Sequence, residues 1–174
     1  MTRAELEHVI RAAGAIAQDD DIVVIGSQAI LGQYPDAPAE LLISREADVY
    51  PLHHVERSDL IDGSIGEGSP FERSFGYYAH GVGEETAVLP EGWRERLILV
   101  SNENTRHVRG WCLEVHDLAI AKLIAGREKD LDFLDALVRH KMAEPGILRE
   151  RLDATRLERA IATLTAARLQ AVIG

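Results

Sequence analysis

Two acidic residues, Glu46 and Asp48, stand one position apart in an apolar segment of this 174-residue chain. In an extended strand, alternate side chains point to the same face, so the two residues would lie about 6 to 7 Å apart at the backbone. Two carboxylates at this spacing can bind one divalent cation, which relieves their repulsion and bridges nucleotide phosphates. The pair therefore predicts a metal site for phosphoryl-type transfer, with an ordinary solvated strand face as the alternative interpretation.

Gly26 and Ser27 follow the apolar run 22–25 and add a second feature of the same chemistry. Glycine lets the backbone approach a phosphate closely, serine adds a hydroxyl, and a helix beginning there would direct N–H groups at an anion. Gly-Ser also occurs in strand-to-helix turns for steric reasons alone. The turn and the acidic pair, in this order and spacing, together favour a nucleotide-phosphate site.

The elements that must position these residues follow from hydrophobic periodicity, helix caps and turn residues. Thr2 and Glu5 form a capping box in front of a helix at 3–17. The other predicted elements are strands at 22–25, 41–52, 97–100 and 111–115, short strands at 77–80 and 86–89, a long loop within 58–83, and helices that begin at Asp117 as N-cap, at 147 and at 155.

This order of elements predicts an α+β fold. We expect a small mixed β-sheet flanked by helices, with a helical C-terminal segment. We also expect a single domain, 1–174, in which an α/β core spans 1–115 and the helical part spans 116–174.

The composition restricts the function classes. The chain has 19 Lys and Arg against 29 Asp and Glu, with a net charge of -10, which disfavours general DNA or RNA binding. A local basic patch within 94–129 stays open. The single cysteine, Cys112, excludes an internal disulfide. No apolar run is long enough to cross a bilayer, so we expect a cytoplasmic protein without a membrane partner.

Four segments, "VVIGSQAIL", "EADVYP", "GVGEETAVLPEGWRERL" and "LEVHDLAIAKLIAGREKDLDFL", resemble the nucleotidyltransferases of the DUF6036 group. Those are similar in turn to the AbiEii and MenT toxin nucleotidyltransferases, and the resemblance implies that the small mixed β-sheet is nucleotidyltransferase-like. The resemblance implies that Gly26 and Ser27 contact the nucleotide phosphates and that Asp48 binds metal, Mg²⁺ or Mn²⁺. Glu46 occupies the first metal position, where Asp is more usual.

The resemblance also implies a catalytic lysine at Lys122 and a downstream catalytic aspartate at Asp130. On a helix, Lys122, Gly126 and Lys129 fall within about 60° of one another, and Asp130 lies at the margin of that sector. Lys122 would bind a triphosphate as a point charge, and Arg127 would grip two oxygens if the helix bends near Gly126. The alternative is an exposed face with charge pairs at helical spacing, including Lys122 with Asp117.

A third carboxylate, the general base in many related enzymes, stays open between Glu114 on a predicted strand and Asp130. The histidines lack the spacing of a zinc site, and we expect them at the surface or in supporting roles. Trp93, Trp111, Tyr77 and Tyr78 could stack a base, but core packing is the simpler interpretation.

The expected function is Mg²⁺-dependent transfer of a nucleoside monophosphate from an NTP to a hydroxyl of tRNA or of a protein. The resemblance adds a toxin role with an antitoxin partner. The alternative is a catalytically degenerate nucleotidyltransferase fold that acts as a nucleotide-binding or protein-interaction module.

Overall fold

The computed structural model describes residues 1–174 and confirms the α+β fold predicted from the sequence. Five strands form one mixed sheet, namely β1 Asp21–Val24, β2 Glu46–Pro51, β3 Tyr78–Gly81, β4 Ile98–Val100 and β5 Arg109–Cys112. The helices are α1 Arg3–Ala17, α2 Ile30–Gln33, α3 Ser58–Ile65, α4 Pro70–Phe75, α5 Val115–Ala125, α6 Glu128–Arg139, α7 Pro145–Asp153 and α8 Arg159–Ile173. No helix is long and apolar enough to cross a membrane.

The chain divides into two compact units. The first unit comprises residues 1–86 and 97–114 and contains the whole sheet with α1 to α4. The second unit comprises residues 87–96 and 115–174 and contains α5 to α8. The expected single domain with a boundary after residue 115 stays a prediction.

The strand order in the first unit is β3-β2-β1-β5-β4. β1 runs antiparallel to β2 and parallel to β5, and β2 runs parallel to the edge strand β3. Because alternate side chains of a strand point to the same face, this register places small or apolar residues of β1, β2, β3 and β5 on one face of the sheet. Those residues are Ile22, Val24, Ala47, Val49, Ala79, Gly81, Gly110 and Cys112.

Three helices cover this apolar face at close range. A Cβ on Gly110 would lie 2.4 Å from the Ile10 side chain of α1, and one on Gly81 would lie 2.0 Å from the Ser58 carbonyl of α3. A Cβ on Gly32 in α2 would lie 2.5 Å from the buried Cys112. Glycine is therefore needed at these crossings, and the functional candidates Glu46 and Asp48 belong to the opposite face.

The first helix forms as its sequence predicts. The Thr2 hydroxyl accepts a hydrogen bond from the Glu5 N–H, and the Glu5 carboxylate accepts one from the Thr2 N–H at 2.6 Å. This capping box satisfies two donors that a helix start leaves without an intrahelical partner. The buried side of α1 carries the predicted apolar stripe, which includes Leu6, Val9, Ile10 and Ala13.

The predicted long loop at 58–83 is wrong for its first part, because α3 and α4 lie within it, whereas the short strand expected at 77–80 is confirmed as β3. Gly63 interrupts the apolar pattern of α3, yet Ile61 and Ile65 are buried and hold this short helix in place. Ser69 caps α4 and Pro70 occupies its first turn. Tertiary packing thus outweighs the local Gly and Ser signals that favoured a loop.

Other element boundaries also differ from the prediction. The strand expected at 86–89 does not form, and the strand expected at 41–52 is restricted to β2, with a single 3₁₀ turn at Ala39–Leu41. The predicted helix starting at Asp117 begins instead at Val115, so Asp117 lies inside the first turn and is not the N-cap.

Helix α5 forms the centre of the second unit and contacts α6, α7 and α8. It is apolar on nearly all sides, as expected of a helix surrounded by others. One of its two buried charged residues, Asp117, is fully enclosed and receives two hydrogen bonds from Arg96, at 2.8 and 2.9 Å. Arg151 of α7 lies 3.5 Å from the same carboxylate.

Candidate nucleotide and metal site

The strand register brings the Gly-Ser turn to the acidic strand at one edge of the sheet. Val24, at the end of β1, pairs with Val49 of the antiparallel β2. The next N–H along the chain, that of Ile25, donates to the Asp48 carbonyl at 3.0 Å. Gly26 and Ser27 therefore leave the sheet beside Asp48.

Gly26 lies directly under the Asp48 carboxylate. A Cβ at Gly26 would lie 2.0 Å from Asp48 Oδ2, so a larger residue at this turn would displace the carboxylate. The backbone of Gly26 has φ -85°, a conformation open to any residue. Glycine is thus required here by the close approach of Asp48 and not by backbone geometry.

Glu46 and Asp48 share the open face of β2 and affect each other electrostatically. Their side chains are 36% and 27% exposed. Burial, and then the charge of Glu46 nearby, raise the pKa of Asp48 above its ordinary value. The pair therefore carries a concentration of negative charge that a bound cation would relieve.

Two residues of β3 complete this cluster. β3 runs parallel to β2, with Tyr78 opposite Glu46 and His80 opposite Asp48. The Tyr78 hydroxyl donates to Glu46 Oε2 at 2.9 Å, and burial followed by this bond raises the pKa of Tyr78 to about 12. His80 Nδ1 lies 3.2 Å from Asp48 Oδ1 and 3.8 Å from Glu46 Oε1.

The sequence suggested Tyr78 only as a possible base-stacking residue, did not single out His80, and predicted neither of them beside the acidic pair. A signal was present, because alternate positions of the predicted strand 77–80 place both side chains on one face. That strand's neighbour and register depend on a crossover through α3 and α4, and no local pattern specifies them. The positions of the histidines along the chain also gave no indication of a site, because they lack the spacing of a zinc-binding motif.

The residues present fit a divalent cation. One ligand atom from each of Glu46, Asp48 and His80 can be chosen so that all three lie within 4.8 Å of one another. Carboxylate oxygens are ligands for Mg²⁺ and Mn²⁺, and imidazole nitrogen is a ligand for transition-metal ions. The absent Cβ of Gly26 leaves room for Asp48 to take part.

The segment after the turn is shorter than the helix expected there. Ser27–Ala29 forms a 3₁₀ turn and α2 adds four residues, so a strong helix dipole at Ser27 does not develop. The buried Gln28 side chain instead donates from Nε2 to the Ser44 carbonyl at 3.0 Å. Ser44 Oγ in turn accepts the Glu46 N–H at 3.1 Å, which fixes the start of β2.

Lys122, Asp130 and Arg127 form a cluster in the second unit. Lys122 Nζ donates to Asp130 Oδ1 at 3.1 Å, and Arg127 Nε donates to Asp130 Oδ2 at 2.6 Å. Asp130 is fully buried, and Lys122 also lies over the Phe133 ring at 4.7 Å. Burial opposes ionisation of Asp130, but hydrogen bonds and charge from Arg127 and Lys122 lower its pKa.

The helix that was expected to carry a polar stripe through Lys122, Gly126 and Lys129 is interrupted at Gly126, where a bend was considered. The helix breaks at Gly126, which has φ +62° between α5 and α6. On a continuous helix, eight residues would separate Lys122 from Asp130 by about 12 Å along the axis. Because of the break, α6 changes direction and Asp130 lies within hydrogen-bonding distance of Lys122. Lys129, which the stripe was expected to include, is exposed. Lys122 is buried and pairs with Asp130, so the alternative interpretation of an exposed charged face is wrong for Lys122.

The break is itself held by a long-range contact within the second unit. Arg168 of α8 donates to the carbonyls of Leu123 and Ile124 at 3.1 and 3.2 Å. A Cβ at Gly126 would lie 2.0 Å from the Arg168 guanidinium. Gly126 is therefore required both for its positive φ and for the approach of Arg168 to the end of α5.

A family model described as a nucleotidyltransferase of unknown function, DUF6036, matches residues 4–169. The chain belongs to the DUF6036 family. The searches of curated proteins and of solved structures gave no match. The match spans both units, so the Gly26-Ser27 turn, the acidic strand and the Lys122 segment all fall within the DUF6036 region.

Glu114 follows the end of β5 in this DUF6036 protein and is not part of the strand that was expected to carry it. β5 runs parallel to β1, with Cys112 opposite Val24. Glu114 is half-buried and is not among the ligand atoms that converge with Asp48. Its role as third carboxylate stays a prediction, as does that of Asp130.

A second acidic cluster, formed by Asp19 and Asp21 at the other end of β1, has its carboxylate oxygens hydrogen-bonded within the protein. Asp21 accepts from Arg109 at 2.6 Å and from Trp111 Nε1 at 2.7 Å, and His53 lies 3.0 Å away. Asp19 accepts the N–H of His53 at 2.7 Å. These bonds lower the pKa of Asp21, with the hydrogen bond from Arg109 as the largest cause. The cluster ties β1 to β5 and to the segment after β2.

Proposed function

We propose that this protein transfers a nucleoside monophosphate from an NTP to a hydroxyl acceptor, with a divalent cation as cofactor. The observation that carries the proposal is that the Asp48 carboxylate lies against Gly26, where a Cβ would displace it, and has a ligand atom within 4.8 Å of one from Glu46. Membership of a family described as nucleotidyltransferases supports the same chemistry.

In this proposal, Gly26 and Ser27 hold the terminal phosphates, and Glu46 and Asp48 hold the cation. A bound divalent cation offsets the charge that builds up on the transferring phosphoryl group. The acceptor oxygen attacks the α-phosphorus, the bond from that phosphorus to the bridging oxygen breaks, and pyrophosphate leaves. Catalysis then depends mainly on positioning and electrostatics.

For the triphosphate we retain Lys122 and Arg127 as the proposed cationic contacts, on the resemblance of their segment to the toxin nucleotidyltransferases. Both oxygens of Asp130 are engaged by these two cations. A carboxylate with a lowered pKa is a weak proton acceptor, so we assign Asp130 to positioning Lys122. Glu114 is then the remaining candidate for the base that receives the hydroxyl proton.

We further propose that the acceptor is tRNA or a protein and that an antitoxin controls the activity, as the AbiEii and MenT resemblance implies. The net charge of -10 disfavours extensive contacts with RNA phosphates. A protein acceptor, or a short RNA end that needs few phosphate contacts, suits this charge better than a long RNA duplex.

Calorimetry with each NTP, in the presence and absence of Mg²⁺ or Mn²⁺, tests the site. We expect cation-dependent NTP binding that Asp48→Asn abolishes and that Asp132→Asn, at an exposed position of α6, leaves intact. Cation-independent binding would instead support the degenerate binding module.

Label transfer tests the reaction. The protein is incubated with α-labelled NTPs and total RNA or cell lysate, and released pyrophosphate is measured. We expect label in a macromolecule together with stoichiometric pyrophosphate for the wild type and for Asp132→Asn, and neither for Asp48→Asn. NTP binding without label transfer under any of these conditions would contradict the enzymatic proposal.

A further inference from the structure

His80 occupies the place next to the acidic pair where a third ligand can reach it. β3 is an edge strand, and its parallel register places His80 opposite Asp48. The His80 side chain is 50% exposed, and its ring is directed toward two carboxylates. On the other side of Asp48, the chain that continues from β1 brings the backbone of Gly26 against the carboxylate, whereas β3 places the side chain of His80 within 3.2 Å of it.

Tyr78 orients Glu46 toward the same point. Its hydroxyl holds Glu46 Oε2 at 2.9 Å, whereas the second oxygen, Oε1, lies 3.8 Å from His80 Nδ1. On the other side, Asp48 Oδ1 lies 3.2 Å from the same nitrogen. Two ligand atoms bound to one ion at about 2.1 Å lie about 3.0 Å apart in octahedral and about 3.4 Å apart in tetrahedral geometry. The distance from His80 Nδ1 to Asp48 Oδ1 falls between these two values, and the distance from His80 Nδ1 to Glu46 Oε1 exceeds the larger one by about 0.4 Å.

We propose that His80 is the third protein ligand of the metal site, through Nδ1, and that the site therefore prefers a first-row transition-metal ion to Mg²⁺. The inference rests on the proposed nucleotidyltransferase site and specifies its cofactor. A site with three carboxylates offers only oxygen, which suits Mg²⁺, whereas an imidazole nitrogen adds affinity for Mn²⁺ and the later divalent ions.

The competing role for His80 is a hydrogen bond from Nδ1 to Asp48 without a bond to the metal. His80→Asn separates the two roles, because an asparagine amide can still donate to Asp48 but is a poor ligand for a transition-metal ion. The matched control is His107→Asn, an exposed histidine with φ +65°, a conformation that asparagine tolerates well.

The probe is Mn²⁺, followed by electron paramagnetic resonance. Loss of the free-ion signal gives the Mn²⁺ affinity, competition gives the Mg²⁺ affinity, and pulsed measurements detect ¹⁴N coupled to bound Mn²⁺. We expect ¹⁴N coupling in the wild type and in His107→Asn, and none in His80→Asn. His80→Asn should weaken Mn²⁺ binding at least about tenfold and Mg²⁺ binding by less than about threefold.

A complementary variant, His80→Asp, supplies oxygen in place of nitrogen and should shift the preference toward Mg²⁺. Bound Mn²⁺ without ¹⁴N coupling, or equal Mn²⁺ affinities for wild type and His80→Asn, overturns the role of His80. If Asp48→Asn still abolishes binding in that case, the proposed transferase site stands. Absence of Mn²⁺ and Mg²⁺ binding to the wild type, with and without NTP, overturns both proposals.

Discussion

Asp48→Asn should make the cation-free protein more stable, although it removes a residue of the proposed site. The ligand atoms of Glu46 and Asp48 lie within 4.8 Å of each other. Two unit charges at that distance repel by about 1 kcal/mol at the dielectric constant of water and about 3.5 kcal/mol at an effective value of 20. Because the two side chains are 36% and 27% exposed, solvent screening favours the lower part of this range, about 1 to 2 kcal/mol.

Asparagine has nearly the same shape as aspartate and can donate a hydrogen bond to Glu46. In a protein of this size, about 1 kcal/mol corresponds to a Tm shift of about 2 to 4 °C. We therefore expect the Tm of Asp48→Asn to exceed that of the wild type by about 2 to 8 °C in chelator, measured by differential scanning calorimetry. Asp132→Asn, an exposed acid in α6, should change Tm by less than about 1 °C, since exposed positions contribute little.

Adding a divalent cation should reverse the order of the two proteins. At a concentration of about one hundred times Kd, binding stabilises the wild type by about 2.7 kcal/mol, whereas Asp48→Asn should gain almost nothing. The reasoning is refuted if Asp48→Asn is less stable than the wild type in chelator, or if the cation raises both Tm values equally. Either result would mean that Asp48 and Glu46 do not form a repulsive pair that a cation relieves.

Further predictions concern the turn, the second unit and the end of β1. Gly26→Ala should lose cation-dependent NTP binding in calorimetry while retaining the wild-type circular dichroism spectrum, because its Cβ displaces Asp48; unchanged binding would contradict the close approach. Lys122→Met should lower the unfolding free energy by about 2 to 4 kcal/mol in urea titrations, because it leaves the buried Asp130 with Arg127 as its one cationic partner. Arg127→Ala removes a side chain that is 63% exposed and should lower the unfolding free energy by less than about 1 kcal/mol. Equal losses for the two variants would contradict the assigned difference in burial. Asp21→Asn should make the stability of the protein less sensitive to acid. The hydrogen bond from Arg109 lowers the pKa of Asp21 in the folded protein. The ionised carboxylate therefore stabilises the fold fully at a pH above its unfolded pKa of about 4, and this contribution is lost as the pH falls from there toward the lower folded pKa. Parallel pH–Tm curves for wild type and Asp21→Asn between pH 2 and 6 would contradict this assignment.

Local sequence was sufficient for several elements and for half of the candidate site. The capping box and apolar stripe of α1 act within one helix, and the apolar run of β1 ends at the Gly-Ser turn as predicted. The common face of Glu46 and Asp48 also follows from the period of a single strand. In each case the controlling interactions lie within a few residues along the chain.

Local sequence was insufficient for α3, for the helix break at Gly126 and for the partners of buried charges. Gly63 weakened the helical pattern of α3, whose stability comes from burial of Ile61 and Ile65. Asp117 had the sequence appearance of an N-cap, but Arg96, twenty-one residues away, pairs with it. Such pairs depend on which helices become neighbours, and helix periodicity does not specify this.

By itself, the sequence determined that two carboxylates share one strand face and that a glycine-serine turn follows the preceding strand. Only the tertiary structure decided that Gly26 lies beneath Asp48, that β3 brings Tyr78 and His80 to the pair, and that Asp130 returns to Lys122. The physical reason is that backbone periodicity is local, whereas strand register and helix packing depend on burial shared among distant segments.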